Sequence, residues 1–239
     1  MMTRGYFITG TDTNVGKTLF TAALARALCH EGVHVAAYKP VCSGAVFLNQ
    51  QGDTSPVWSD VEALFHATGE RWPRDRISPQ TFRAALSPPA AAALEGREVD
   101  EALLLAGYHW LAERAEMVLV EGAGGFYSPI STNWLNADLA ERIGLPVVIV
   151  SPNRLGTINQ TLLTLEAIRR RGLSVAGVVL NRNTAHDDPS AATNGAEIER
   201  HGHVRVFGEI PFNPAAELQP NRLPESMIAV FRSLDSHRL

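Results

Sequence analysis

Apolar positions along this chain fall into two rhythms. Short runs, apolar at successive or nearly successive positions, recur at residues 6–9, 33–38, 117–120, 147–150, 175–180 and 204–207. A strand with one wet face alternates apolar and polar residues. Unbroken runs are expected where both faces are covered, as in a parallel sheet. Between the runs, apolar residues at three- and four-residue spacing predict helices over 17–29, 61–67, 101–114, 136–142, 158–171 and 196–201, and a last one over 224–234. Strands alternating with helices predict an α/β fold, a mostly parallel central sheet with helices on both faces. No composition break marks a second unit, so residues 1–239 read as a single domain. Residues 50–59 and 71–89 read as irregular. The second segment carries Pro73, Pro79, Pro88 and Pro89, which exclude continuous helix, and 90–93 reads as a helix start.

The first run leads directly into chemistry. Gly10-Thr11-Asp12-Thr13-Asn14-Val15-Gly16-Lys17-Thr18 stands between the first strand and the first helix. Strand, glycine loop, Gly-Lys-Thr, helix is the layout of the phosphate-binding loop of P-loop NTPases. Glycines let the backbone curl until several N–H groups face one anion, and the helix N-terminus adds partial positive charge. Lys17 can reach the terminal phosphates and the Thr18 hydroxyl can ligate Mg²⁺. The loop is irregular in one respect: five residues separate Gly10 from Gly16, where the usual loop has four.

Three further segments carry polar residues at strand ends. The run at 117–120 closes on Glu121, followed by Gly122-Ala123-Gly124-Gly125, which reads as a glycine turn. In a phosphate-loop protein a carboxylate at the end of a neighbouring strand holds or orients Mg²⁺. Lys39 closes the run at 33–38, within Lys39-Pro40-Val41-Cys42-Ser43-Gly44, on the edge where open parallel sheets bind ligands. Asn181, after the run at 175–180, is placed to read a base edge. A guanine-reading loop would want Asn-Lys-x-Asp, which Arg182 and Thr184 do not supply, so ATP is preferred over GTP. Two positions stay ambiguous from the residues themselves. Ser59 or Asp60 reads as a helix N-cap. Leu155-Gly156-Thr157 reads equally as an anion-holding helix start or as a plain start capped by Thr157.

Composition narrows the classes. A net charge of −4 with no basic block gives no electrostatic reason for nucleic acid. No stretch nears 18 apolar residues and the start carries no secretory leader, so no membrane association and a cytoplasmic location are expected. Cys29 and Cys42 are too few for a metal site and read as reduced thiols. The histidines show no metal-ligand spacing, and His30, His34, His201 and His203 read as surface residues.

Taken together, Gly-Thr-Asp-Thr-x-Val-Gly-Lys-Thr, Tyr-Lys-Pro-Val-x-Ser-Gly, Val-Glu-Gly-Ala-Gly-Gly and Gly208-Glu209-Ile210-Pro211 resemble the dethiobiotin synthetase family from Gly5 to about Asn213. The resemblance implies ring closure of 7,8-diaminononanoate with CO₂ and MgATP, through a carbamate and a carbamic–phosphoric anhydride. It implies that Asn14, Val15, Gly16, Lys17, Thr18, Glu121, Gly122 and Gly124 bind the nucleotide, with Gly16, Lys17 and Thr18 on its phosphates. Asn181 and Pro211 would hold adenine, and Thr18, Asp60 and Glu121 would hold Mg²⁺, which raises Asp60 above its cap reading. Thr13, Lys17, Lys39 and Ser43 would face the carbamate as the catalytic set. Leu155, Gly156, Thr157, Ile158 and Asn159 would bind the substrate carboxylate across a homodimer interface, so that the active site is shared between subunits. The chain departs from the family at Asn14, where well-known members carry Glu, and in the alanine-rich stretch after Ser87-Pro88.

The rivals are weaker. A partitioning or septum-positioning switch ATPase of the same superfamily would carry an extra lysine where this chain has Thr11 and Asp12. It would also lack the Tyr-Lys-Pro-Val motif. A cobyrinate-type amide synthase would need a glutaminase domain for which the chain has no room, and a small-molecule kinase would need no CO₂.

Overall fold

In the computed structural model, which describes residues 4–50, 53–185, 188–213 and 223–236, six of the strands lie parallel in one sheet. The chain runs β1 (Arg4–Gly10), α1 (Lys17–His30), β2 (Val35–Tyr38), β3 (Val41–Ser43), β4 (Val46–Gln50), β5 (Asp53–Val57), α2 (Ser59–Ala67), α3 (Arg74–Ile77), β6 (Gln80–Phe82) and α4 (Pro88–Leu94). It continues α5 (Glu101–Ala112), β7 (Met117–Gly125), α6 (Asn136–Ile143), β8 (Val147–Pro152), α7 (Thr157–Arg170), β9 (Val175–Asn181), α8 (Ala191–Gly202), β10 (Val206–Ile210) and α9 (Glu225–Ser236). The strand order is β10-β9-β8-β1-β7-β2.

The unbroken apolar runs became the strands of this sheet. Every residue of β2 and β8 is buried, and β1 is exposed only at Arg4, as helices on both faces require. On one face α9 closes the core through Phe231. Its ring meets Tyr6 at 5.2 Å, Phe20 at 5.7 Å and Phe207 at 4.8 Å between centroids. Burying one such ring is worth about 1.5–3 kcal/mol, which gives the C-terminal segment a packing role although it carries no motif.

This order positions the site. Parallel strands deliver their carboxyl ends to one edge of the sheet. Because β7 lies between β1 and β2, the loop after β1, Glu121 in β7 and Lys39 after β2 become neighbours despite their distance in sequence.

Some expected boundaries need correction. The glycine turn expected after Glu121 is strand: β7 runs on to Gly125, paired with Gly10 across a register shift. The segment expected to be irregular at 50–59 includes the antiparallel partner of β4, and the one at 71–89 includes α3 and β6. The strand expected at 204–207 lies at Val206–Ile210, and the helix expected at 196–201 spans Ala191–Gly202. His34 is half-buried, its ring 5.1 Å from that of Trp72, not a free surface residue. Cys29 and Cys42 are both free thiols. Among the described residues no helix is long and apolar enough to cross a membrane.

Candidate active site

The loop after β1 owes its shape to two glycines. Gly16 takes φ 100°, a left-handed conformation that only glycine adopts without strain, and it begins α1. A Cβ there would stand 2.1 Å from Asn181 Nδ2. At Gly10 a Cβ would meet the Val15 side chain at 2.6 Å and the Asp12 carbonyl at 2.8 Å, so the loop can close only around a bare backbone. Asn14 also takes a left-handed φ of 58°. Asparagine tolerates that region far better than glutamate, because its short amide bonds locally. The departure from the family therefore sits where the backbone itself favours Asn.

Lys17 folds back over the loop and donates to the Asp12 carbonyl at 2.9 Å. It is buried, and burial lowers its pKa to about 8 against the opposing pull of Glu121 and Asp60. Its ammonium therefore carries charge that the protein solvates poorly, a site suited to an incoming anion.

Beside it lies a four-residue polar cluster. Lys39 Nζ donates to Glu121 Oε1 and to Asp60 Oδ2, each at 2.6 Å. The Thr18 hydroxyl donates to the same Glu121 oxygen at 2.6 Å. Glu121 is fully buried, and its second oxygen, Oε2, has no hydrogen-bond partner among the described residues. Burial by itself would strip the proton from Lys39, but Glu121 and Asp60 outweigh it and hold the lysine pKa above its ordinary value. Burial likewise pushes the Asp60 carboxyl up, and Lys39, by charge and by hydrogen bond, more than reverses it. Asp60 is no cap. It lies inside the first turn of α2, where Trp58 occupies the cap position, and its side chain is spent on Lys39.

Two cavities open on this cluster, of about 360 and 530 Å³. Thr13, Asn14, Cys42, Ser43, Asp60, Ala123 and Gly124 border both, and Gly16, Lys17, Thr18 and Lys39 border the smaller. Ser43 ends β3 and donates to the Leu86 carbonyl at 2.6 Å, joining the loop at 83–87 to the site wall. Every residue expected to face the carbamate or the metal thus meets in one place. Gly122 lies behind it in β7, where a Cβ would be 2.9 Å from Asn136 Oδ1.

The remaining expected residues lie elsewhere. Asn181 is buried at the end of β9 and donates to the Val15 carbonyl at 3.0 Å, bracing the loop from behind. Pro211, just past β10 on the same edge, is exposed. Leu155, Gly156, Thr157, Ile158 and Asn159 border neither cavity. Leu155 is 80% exposed. Thr157 is no cap: Gly156 takes that position at φ 93°, and the Thr157 hydroxyl is buried against Ser151 at 2.6 Å. Ser151 in turn meets Thr11 at 3.2 Å, so hydroxyls link the nucleotide loop to the start of α7.

Sequence reading missed the supports of the site. Asn136, fully buried, donates to the carbonyls of Ala123, Gly125 and Ser128 and accepts from the Ala123 N–H, fixing the glycine-rich end of β7. By sequence it is only a polar residue opening a helix. Cys42 borders both cavities, and burial pushes its thiol up to about 12, so it is an inert wall and not a nucleophile. Its place inside the Lys39–Gly44 motif was the available signal.

Comparison with known proteins follows the same lines. A family model described as an AAA domain matches residues 4–219. The chain is 46% identical over 211 residues to a protein of Anaeromyxobacter dehalogenans named ATP-dependent dethiobiotin synthetase, covering 88% of this chain and 91% of that one. Proteins of the same name from Bacillus subtilis (37% identical, 87% of each chain) and Aromatoleum aromaticum (36% identical, 92% of this chain and 98% of the other) are similar across their lengths. Among solved structures, the cell-division ATPase MinD of Pyrococcus furiosus superposes with a TM-score of 0.56 at 17% identity, covering 99% and 100% of the two chains. A ParA family ATPase from Chlorobium tepidum gives 0.53 at 17% identity, covering 98% and 91%. At that identity the likeness is one of fold alone.

Proposed function

The chain belongs to the ATP-dependent dethiobiotin synthetase family, and from that premise we propose how its residues divide the work of closing the ureido ring from 7,8-diaminononanoate, CO₂ and ATP. One observation carries the reading: Lys17, Lys39 and Asp60 line a single cavity beside a phosphate-binding loop, and Glu121, buried behind it, holds Lys39 and Thr18 of that lining. Carbamate and triphosphate are both anions, so cations must hold them together. A switch ATPase needs no second lysine facing an anionic co-substrate.

The reaction balances as follows. One amine of the substrate adds to CO₂ and loses a proton, giving a carbamate. A carbamate oxygen attacks the γ-phosphorus and ADP leaves. The second amine then attacks the carbamate carbon, expels phosphate and loses a proton, closing the ring. Lys17 and the loop N–H groups hold the phosphates. Lys39, Thr13 and Ser43 hold the carbamate in line with them. Phosphoryl transfer needs positioning more than covalent help.

Mg²⁺ fits the donors present. Thr18, Asp60 and Glu121 offer only oxygen, the ligand Mg²⁺ prefers alongside phosphate and water. The partnerless, buried Glu121 Oε2 is an acceptor in want of a cation. When bound, the ion neutralises charge on the triphosphate. Asn181 and Pro211 hold adenine. Two copies form a homodimer in which residues 155–159 of one protomer complete the other's site. This is supported by the exposure of Leu155 and by the absence of the segment from the lining of its own chain's cavities.

The test is ADP release measured with and without bicarbonate and the diamino acid. ADP should form one-for-one with dethiobiotin and fall to a low level when either co-substrate is left out. Brisk hydrolysis that ignores both would refute the reading.

A further inference from the structure

The two carboxylates that suit a metal already hold a cation. Lys39 bridges Asp60 and Glu121 at 2.6 Å to each, and the Thr18 hydroxyl joins at the same Glu121 oxygen. The Lys39 and Glu121 side chains are 7% and 0% exposed, so water screens that pair little, while Asp60, 37% exposed, is the side of the cluster open to the cavity. Lys17 is hydrogen-bonded to the Asp12 carbonyl and donates to neither carboxylate, so the direct contact that neutralises the pair is the Lys39 ammonium. Two ammoniums and two carboxylates leave the cluster neutral. A divalent ion arriving alone would add two uncompensated positive charges to a buried site, beside an ammonium in contact with its own ligands. Lys39 also borders the smaller cavity, alongside Thr13 and Ser43, so the ammonium has somewhere to turn.

We propose that Lys39 is the resident counter-ion of the Asp60–Glu121 pair, and that it admits the metal only together with the phosphates of the nucleotide. The negative charge of those phosphates lets both cations remain. As the metal takes the carboxylates, the ammonium passes to the carbamate. The lysine is thus freed for the co-substrate only when metal and nucleotide are in place together. The inference rests on the metal reading above and adds an order of entry to it.

The probe is Mn²⁺ alone, followed by the electron paramagnetic resonance of the free ion, on the full chain with and without ADP. Without nucleotide, wild type and Lys39→Arg should bind it weakly, and Lys39→Met should bind at least about tenfold tighter. Mn²⁺ should also raise the melting temperature of Lys39→Met without moving that of wild type. If Lys39→Met folds poorly without metal, Lys39→Gln carries the same comparison. A second readout uses wild type alone: the ¹⁵N–H signal of a lysine ammonium pinned between carboxylates should move on adding Mg²⁺ with ADP, and stay in place with Mg²⁺ alone. Equal nucleotide-free affinities in all variants, with normal binding when ADP is present, would overturn the exchange alone. Absence of binding even with ADP would overturn the metal assignment as well.

Discussion

Replacing Glu121 by Gln removes one charge and almost no volume, and the geometry assigns it opposite effects on stability and on chemistry. Glu121 is fully buried and accepts from Lys39 and Thr18, each at 2.6 Å. At an effective dielectric of about 20, a charge pair at such a distance is worth roughly 6–6.5 kcal/mol in Coulomb energy. Much of that only offsets the desolvation of the carboxylate, and removing a buried charge whose partner keeps another counter-ion is cheaper than breaking an isolated pair. Lys39 keeps Asp60 at 2.6 Å. The net cost is therefore about 1–3 kcal/mol, or a fall of roughly 2–12 °C in Tm for a chain of this size. Chemistry loses more. An anionic ligand missing beside a divalent ion on the transferring phosphoryl group costs about 3–4 kcal/mol, roughly 10²–10³ in kcat/KM. The cavity also gains a net positive charge, so ATP in the presence of EDTA should bind the variant as well as wild type or better. The assays are a Mg²⁺ titration of turnover, displacement of a fluorescent nucleotide in EDTA, and thermal unfolding. The reasoning fails if the Mg²⁺ requirement is unchanged, or if metal-free ATP binding weakens in step with turnover.

Three further outcomes follow from the same geometry. Lys17 has its pKa lowered to about 8, so it is charged below that pH and loses its charge as pH rises through it; kcat/KM for ATP, which reports the free enzyme, should decline above pH about 8, and a flat profile to pH 10 would contradict this. On the adenine role proposed for Asn181, Asn181→Ala should narrow the ATP:GTP ratio of kcat/KM by about 1–2 kcal/mol. Equal losses for both nucleotides would leave only its brace to Val15. Inactive Lys39→Gln mixed with inactive Gly156→Trp should recover about a quarter of wild-type activity, because random exchange leaves one intact shared site in four. An active monomer by light scattering would refute the shared site.

The sheet was legible because its interior strands are buried on both faces and therefore read as unbroken apolar runs. The hairpin of β4 and β5 was not, since Asp53-Thr54-Ser55-Pro56-Val57 carries polar residues and a proline where a strand signal should be. Strands β3 and β6, three residues each, are too short for any periodicity. Within the site, Lys17, Thr18, Lys39 and Glu121 announced themselves as polar residues closing an apolar run or lying in a glycine loop. Asp60 looked like a helix cap because its true partner, Lys39, is 21 positions away and reached only through the fold. Asn136 was invisible for the same reason: its amide serves backbone groups of another element, and no local pattern encodes that.

Ring closure turns on a carbamate oxygen that attacks phosphorus and leaves with it. Turnover started with ¹⁸O-labelled bicarbonate, and quenched before its oxygens exchange with water, tests this directly by mass spectrometry of the released phosphate. One ¹⁸O atom per phosphate is the predicted result, since the oxygen that bonded the γ-phosphorus departs in the phosphate when the second amine closes the ring. Phosphate whose fourth oxygen comes from water would mean that ATP is hydrolysed without passing through the carbamic–phosphoric anhydride, and would contradict the account.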